Sequence, residues 1–236
     1  MTEPLVLIPG MMCDDRVFAP QIRAFGAQRA IMVAPITIGD RVESIVAGLL
    51  DQLPENFALA GHSMGAIVAM EVLNRVPKRV TRLCLMSSNP LPESPAFAAT
   101  REPQIIGAQS GRLDEVMRDM LPEGFLAPGP DRIEIQALLA TMATDLGPEV
   151  FVAQSRALQR RPDQQGTLRK CAVPTRIICG ELDVLTPVRR HEFMAGLIPN
   201  AELSIIENAG HLPTLEQPQA TTQAMRDWLD QPFVLR

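Results

Sequence analysis

The segment GHSMG occupies residues 61–65, between a short apolar run at Ala58–Ala60 and an amphipathic stretch at Ala66–Val76. This G-x-S-x-G pattern predicts a strand that turns directly into a helix, with Ser63 at the bend. The flanking glycines leave out side chains that would collide in so tight a turn. The Ser63 hydroxyl would then lie beside a helix N-terminus, where unpaired N–H groups favour negative charge. Ser63 is therefore a candidate nucleophile.

Short apolar runs alternate with helix-like stretches on both sides of this segment, which predicts βαβ units and a mostly parallel sheet flanked by helices. The predicted strands are Leu5–Ile8, Ile31–Ala34, Ala58–Ala60, Val80–Met86, Thr175–Cys179 and Leu203–Ile206. The predicted helices of this alternation are Asp14–Phe25, Val42–Leu53, Ala66–Val76, Val188–Leu197 and Glu216–Leu229. The predicted fold class is therefore α/β.

The alternation stops in the middle of the chain. Prolines and glycines interrupt residues 91–165 frequently, and no strand-like run stands out there. Because the alternation resumes afterwards, we interpret residues 91–165 as a small helical cap inserted into a core of residues 1–90 and 166–236. An independent helical domain is the alternative. The helical periodicity of this region lies at Leu113–Leu121, Ile133–Thr144 and Glu149–Gln159.

A serine hydroxyl needs a base, and the chain has three histidines. His62 adjoins Ser63, and neighbouring side chains at such a bend point apart, so we expect a packing role for it. His191 lies in a helix-like stretch and is expected on a solvated face. His211 lies in a loop between the last predicted strand and the last predicted helix, at the sheet edge where catalytic groups gather. His211 is therefore the candidate base.

An acid that orients His211 is expected after the strand that follows the insertion. The segment GELDVLTP at residues 180–187 follows that strand and offers Glu181 and Asp183. Asp183 lies deeper in the turn and is the preferred candidate, with a helix-capping or turn role as the alternative. Residues 87–90, which follow an earlier strand, read SSNP and contain no carboxylate.

Together these segments resemble the α/β-hydrolase superfamily, in the branch with a small helical cap, and are similar to carboxylesterases and 3-oxoadipate enol-lactonases. The resemblance spans nearly the whole chain. It implies a serine hydrolase that cleaves a small carboxylic ester, lactone or thioester without a metal or organic cofactor. It also implies an oxyanion hole made by the backbone N–H groups of Met11 and Met64. The segments that carry it are LIPG (7–10), GHSMG (61–65), GELDVLTP (180–187) and GH (210–211).

Two features depart from many relatives. Pro9 stands before Gly10 where relatives carry His-Gly, and little sequence precedes Leu5 where relatives have two further strands. The first departure does not remove the implied oxyanion hole, because both donors are backbone groups. The second predicts a sheet that is shorter at this edge.

Other activities of the same architecture stay open. They are hydrolysis of a carbon–carbon bond or an amide, cofactor-free perhydrolysis or acyl transfer, and ligand binding by a non-catalytic receptor. Apolar cap residues, among them Phe125 and Met142, are candidates for lining a substrate pocket. Arg101, Arg156 and Arg161 are candidates for binding a carboxylate, with solvated surface positions as the alternative.

Composition bears on partners and location. The net charge of −5, the absence of Tyr and a 4% aromatic content argue against a nucleic-acid surface. The first apolar run is too short for a signal segment or a membrane span. Cys13, Cys84, Cys171 and Cys179 have no metal-ligand spacing and are expected as reduced thiols. We therefore expect a cytoplasmic monomer or homodimer whose partner is a small molecule.

Overall fold

The computed structural model of the protein describes residues 2–232. Within them, six strands form one sheet in which every neighbouring pair is parallel. The strands are β1 (Leu5–Ile8), β2 (Ile31–Val33), β3 (Phe57–His62), β4 (Val80–Met86), β5 (Thr175–Gly180) and β6 (Ala201–Ile206). Their order is β2-β1-β3-β4-β5-β6. The predicted α/β fold class is confirmed, and all the predicted strands are present.

Helices cover both faces of this sheet and fill the interruption between β4 and β5. In chain order they are α1 (Ala19–Phe25), α2 (Val42–Leu49), α3 (Met64–Arg75), α4 (Pro95–Gln109), α5 (Leu113–Met120), α6 (Arg132–Gln159), α7 (Gln165–Arg169), α8 (Val188–Leu197), α9 (Pro213–Glu216) and α10 (Pro218–Leu229). A 3-10 turn at Asp15–Phe18 precedes α1 and accounts for the first part of the predicted helix Asp14–Phe25.

The alternation of side chains along β1 divides the core into two layers. Val6 and Ile8 pack with the buried residues of α2, α3 and α8 on one face of the sheet. Leu5 and Leu7 point to the other face and pack with α1 and α10, including the fully buried Trp228. Because a strand buried on both faces is mostly apolar, short apolar runs are what the sequence pattern detects as strands.

The helices between β4 and β5 have an apolar cluster of their own. Ala108, Val116, Ala143 and Phe151 are buried in it, and α4, α5 and α6 pack on one another around them. Met12, from the loop after β1, belongs to the same cluster. The helices between β4 and β5 therefore pack against the loop after β1, at the carboxyl end of the sheet.

One helix between β4 and β5 differs from the sequence-based expectation, and two others agree with it. Helix α4 is not predicted by the sequence pattern, because Pro95 and Pro103 suggest interruptions. Pro95 is the first residue of α4, where a backbone N–H would have no acceptor within the helix, so its absence costs no hydrogen bond. Ser94 caps the helix by accepting from Phe97 N at 3.3 Å. The two predicted helices at 133–144 and 149–159 lie within α6 and are separated by Gly147, whose φ is 80°.

Candidate active site

The turn at Ser63 is strained. Ser63 lies between β3 and α3 with φ 52° and ψ −116°, and a positive φ is uncommon for a residue with a side chain. Its N–H donates to the carbonyl of Met86 on β4 at 2.8 Å. A Cβ added to Gly65 would lie 2.0 Å from the carbonyl oxygen of Ile8, so only glycine fits there. The strand–turn–helix geometry predicted from GHSMG is present.

Three predicted site residues form one chain of hydrogen bonds. Ser63 follows β3, Asp183 follows β5 and His211 follows β6, and all three lie at the carboxyl edge of the sheet. His211 Nε2 is 2.9 Å from Ser63 Oγ, and His211 Nδ1 is 2.8 Å from Asp183 Oδ2. Because a carboxylate only accepts, Nδ1 carries the proton, and in the neutral imidazole Nε2 then accepts from the serine hydroxyl.

The carboxylate of Asp183 is held in place from several sides. Its Oδ1 accepts from the N–H groups of Leu185 and Thr186, both at 2.9 Å, and its Oδ2 accepts from Thr186 Oγ1 at 2.6 Å. Burial raises the pKa of Asp183, but the neighbouring His211 and the hydrogen bonds from His211 and Thr186 outweigh it and leave this pKa below its usual range. Asp183 is thus an ionised acceptor for His211. Glu181 is exposed, and its Oε2 accepts instead from Asn208 N at 3.3 Å.

The two residues implied as oxyanion donors border Ser63. Met64 is the first residue of α3, so its N–H has no acceptor within the helix. Met11 follows Gly10, which lies against the nucleophile turn, because a Cβ added to Gly10 would be 3.3 Å from Ser63 Cβ. Both amides are therefore close to the serine, and their role stays a prediction.

The two predicted pocket residues have different surroundings. The ring of Phe125 is partly buried and lies 5.0 Å, centroid to centroid, from the His211 ring. Met142 is fully buried, and its Sδ accepts from Asp14 N at 3.5 Å. The structure thus brings Phe125 to the His211 ring and places Met142, on α6, in the buried apolar core beside β1, α1 and α10. A pocket-lining role for either stays a prediction.

The other two histidines are buried. His62 Nε2 lies 2.8 Å from the main-chain oxygen of His211, and burial, with the nearby His211, lowers the pKa of His62 to about 3. The expectation that His191 lies on a solvated face is wrong, because this face of α8 packs towards the sheet and leaves His191 0% exposed. His191 Nε2 accepts from Ser88 N at 3.0 Å, and burial lowers the pKa of His191 to about 4.

Two of the three candidate carboxylate-binding arginines are paired within the protein. Arg101 binds Glu93 through Nε and Nη2, each at 2.7 Å, and both side chains are buried. Arg156 pairs with Glu102. The Nε of Arg161 is buried and has no hydrogen-bond partner among residues 2–232, and burial lowers the pKa of Arg161.

Sequence reasoning missed two polar residues that hold loops of this site. Gln154 on α6 is fully buried, accepts from Met12 N at 2.8 Å and donates to the carbonyl of Ile36 at 3.0 Å. Glu216, predicted as the first residue of the last helix, ends α9 instead, and its carboxylate accepts from backbone N–H groups on both sides of His211. A glutamate five positions after His211 was the only local signal for it.

The described residues hold no arrangement typical of two other kinds of site. Among residues 2–232, no group of three or more His, Cys, Asp or Glu side chains is placed to hold a metal ion. No helix in this part of the chain is long and apolar enough to span a bilayer.

Comparison with known proteins finds relatives that match nearly the whole length of this chain. The bifunctional biotin biosynthesis protein BioHC of Cellvibrio japonicus is 25% identical over 246 residues, which cover 98% of this chain. This chain spans only 48% of that relative's length. A pimeloyl-[acyl-carrier protein] methyl ester esterase of Aromatoleum aromaticum is 26% identical and is matched over 94% of this chain and 90% of its own length.

Among solved structures, a thermophilic esterase from Thermogutta terrifontis, in a malate-bound form, superposes with a TM-score of 0.87 at 26% identity. The match covers 96% of this chain and 89% of that esterase. The model of the alpha/beta hydrolase family matches residues 5–224, which include the strained serine turn and the loops that carry Asp183 and His211. The chain therefore belongs to the alpha/beta hydrolase family.

Proposed function

We propose that this protein hydrolyses small carboxylic esters or lactones, with Ser63 as nucleophile, His211 as general base and Asp183 as the acid that orients His211. The observation that carries the proposal is the continuous chain of hydrogen bonds from Ser63 Oγ through His211 to Asp183, at 2.9 and 2.8 Å. The named activities of the two esterase relatives support ester bonds as the target.

The proposed reaction has two halves. In the first, His211 Nε2 takes the proton of Ser63 as Oγ attacks the ester carbonyl, and the tetrahedral oxyanion accepts hydrogen bonds from the Met11 and Met64 amides. The imidazolium then gives the proton to the leaving alcohol, and an acyl-serine remains. In the second half, His211 activates a water molecule that attacks the acyl group, and Ser63 recovers its proton as the acid leaves.

The surroundings of the triad suit this chemistry. Asp183 is 3% exposed and carries the negative charge that stabilises the imidazolium formed in both halves of the reaction. Exclusion of water strengthens that interaction. No step of the proposed cycle requires a metal or an organic cofactor, since the nucleophile, the base and the oxyanion donors all belong to the chain.

Residues 91–165 are proposed as a cap over this site, on a core of residues 1–90 and 166–236. The contact of Phe125 with His211 supports this division, since it puts a side chain of the insertion against the proposed base. A cap would restrict the acyl group to short or medium length. The name of the Aromatoleum aromaticum relative makes methyl esters of such acids the first substrates to test.

The test combines active-site labelling with turnover. A fluorophosphonate probe should label the wild-type protein, and Ser63→Ala should abolish the label. A panel of p-nitrophenyl acetate, butyrate and octanoate, methyl esters, a lactone and a thioester should then identify the preferred bond. Labelling without turnover of any panel member would favour a receptor, and absence of labelling in the folded wild type would refute the serine mechanism.

We also propose that the protein is cytoplasmic and is a monomer or a homodimer. Cys13, Cys84 and Cys179 are buried thiols, and burial raises the pKa of Cys13 and of Cys179 to about 12. Such thiols fit a reducing compartment, which supports a cytoplasmic location. Light scattering coupled to gel filtration would distinguish a monomer from a homodimer.

A further inference from the structure

The carboxylate of Glu216 is surrounded by backbone N–H groups. Its Oε1 accepts from Leu212 N at 2.7 Å, and its Oε2 accepts from Gly210 N at 2.9 Å and from Ala127 N at 2.6 Å. Gly210 and Leu212 are the residues immediately before and after His211. One side chain therefore holds both ends of the loop segment that carries the proposed base.

The third of these bonds reaches into the inserted segment. Ala127 lies two residues after Phe125, whose carbonyl accepts from the N–H of His211 at 2.8 Å. Residues 125–127 thus contact the His211 loop in three ways: through the Phe125 carbonyl, through the Phe125 ring and, by way of Glu216, through the Ala127 amide. The insertion and the loop form one hydrogen-bonded unit.

These bonds depend on the charge and reach of the glutamate. A carboxylate offers only acceptors, so it can satisfy three converging donors, whereas an amide presents an NH₂ group to one of them. Burial raises the pKa of Glu216, and the N–H groups of Gly210, Ala127 and Leu212 act against that rise. Bonds from N–H donors to an ionised acceptor are stronger than bonds between neutral groups.

We propose that Glu216 is a positioning residue, which fixes His211 relative to Ser63 by holding residues 210–212 against residues 125–127 of the insertion. This inference rests on the proposed function. Glu216 touches neither Ser63 nor the reacting atoms in this scheme. It acts by keeping His211 Nε2 at hydrogen-bonding distance from Ser63 Oγ, and small errors in such placement reduce the rate of the chemical step rather than substrate binding.

Glu216→Gln is the most direct test, because it keeps the shape of the side chain and removes one acceptor. We expect kcat to fall about 10- to 100-fold, with KM changed less than about threefold. The rate of fluorophosphonate labelling of Ser63 should fall in parallel. Glu216→Asp keeps the charge but is one methylene shorter, so it should also lower kcat. It replaces Glu216→Gln as the test if the glutamine variant does not fold.

Glu71→Gln is a matched control. Glu71 on α3 is 5% exposed and accepts from Asn74, Arg75 and Gln164, so its replacement also disturbs a buried carboxylate network. Its kcat per labelled site should stay within about twofold of wild type. A Glu216 variant whose kcat per labelled site matches wild type, or a Glu71 variant with an equal fall, would overturn the inference. Wild-type protein that neither labels nor turns over esters would instead refute the proposed function.

Discussion

The imidazole of His62 donates a hydrogen bond from Nε2 to the main-chain carbonyl of His211, over 2.8 Å. A carbonyl only accepts, so the proton of His62 is on Nε2, and its buried Nδ1 has no partner among residues 2–232. The residue before the proposed nucleophile thus supports the backbone of the proposed base. Together with the Phe125 carbonyl and Glu216, it gives the His211 segment hydrogen bonds on several sides.

The first prediction concerns the nucleophile and the base. Ser63→Ala and His211→Ala should each lower kcat by about 10⁴- to 10⁶-fold, because neither half of the reaction proceeds without both groups. The melting temperature of Ser63→Ala should stay close to wild type, since the serine side chain contributes little to the core. Steady-state kinetics and circular dichroism would check both statements. Near-wild-type activity of His211→Ala would show that another group is the base.

The second prediction separates the two acidic residues of the β5–α8 loop. Asp183→Asn should cost about 10³- to 10⁴-fold in kcat, because an amide next to Nδ1 favours the wrong tautomer of His211. Glu181→Gln is the control, since Glu181 is exposed and its carboxylate accepts from the N–H of Asn208, in the loop after β6. Its kcat should change by no more than a few-fold. The opposite ranking of the two variants would transfer the orienting role to Glu181.

The third prediction concerns stability in acid. The pKa of His62 is lowered to about 3 and that of His191 to about 4, from 6.5 for an unperturbed histidine. Below pH 6.5 the unfolded chain therefore binds more protons than the folded one, and the free energy of unfolding falls as pH falls. Each histidine should contribute a loss of about 1.4 kcal/mol per pH unit. The raised pKa of Glu216 acts in the opposite direction.

Urea unfolding at pH 7.5 and pH 5.5 would measure this loss. The variant His191→Asn removes one of the two titrating groups, so its stability should depend less steeply on pH than that of the wild type by about 1.4 kcal/mol over the unit below pH 6.5. Comparing the pH dependence, rather than the stability at one pH, cancels the cost of the substitution itself. If the stabilities of the two proteins depended equally on pH, His191 would not be buried in its neutral form.

The sheet and the order of the site residues could be predicted because they depend on local patterns. The buried strands appear as mostly apolar runs, and β1 and β4 were predicted with their observed bounds. In a parallel sheet the residues that follow each strand meet at one edge. Ser63, Asp183 and His211 each follow a strand, so their proximity follows from the strand pattern alone.

The polar residues that support His211 could not be predicted in the same way. The sequence does not show that His62 contacts the main chain of His211, 149 positions away, or that Glu216 contacts the Ala127 amide, 89 positions away. His191 has the polar character of a surface residue, and only the packing of α8 reveals its burial. Helix α4 was missed because Pro95 and Pro103 suggest breaks, although the first of them occupies a position that helices tolerate.

The last prediction concerns the cap and the length of the acyl chain. Phe125→Ala keeps the carbonyl that accepts from His211 N–H but removes the ring that lies 5.0 Å from the His211 ring. We expect the space so created to favour longer acyl chains, with the ratio of kcat/KM for p-nitrophenyl octanoate to that for acetate rising by about 10-fold, the scale of one or two methylene contacts. Met142→Ala is the comparison, because Met142 on α6 is fully buried in the apolar core. That variant should lose about 2–5 kcal/mol of stability through the cavity it leaves, measured by urea unfolding.

An equal shift in chain-length preference for both variants would place Met142 in the pocket as well. No shift for Phe125→Ala, or efficient cleavage of triglyceride emulsions by the wild type, would contradict a cap that limits substrate size.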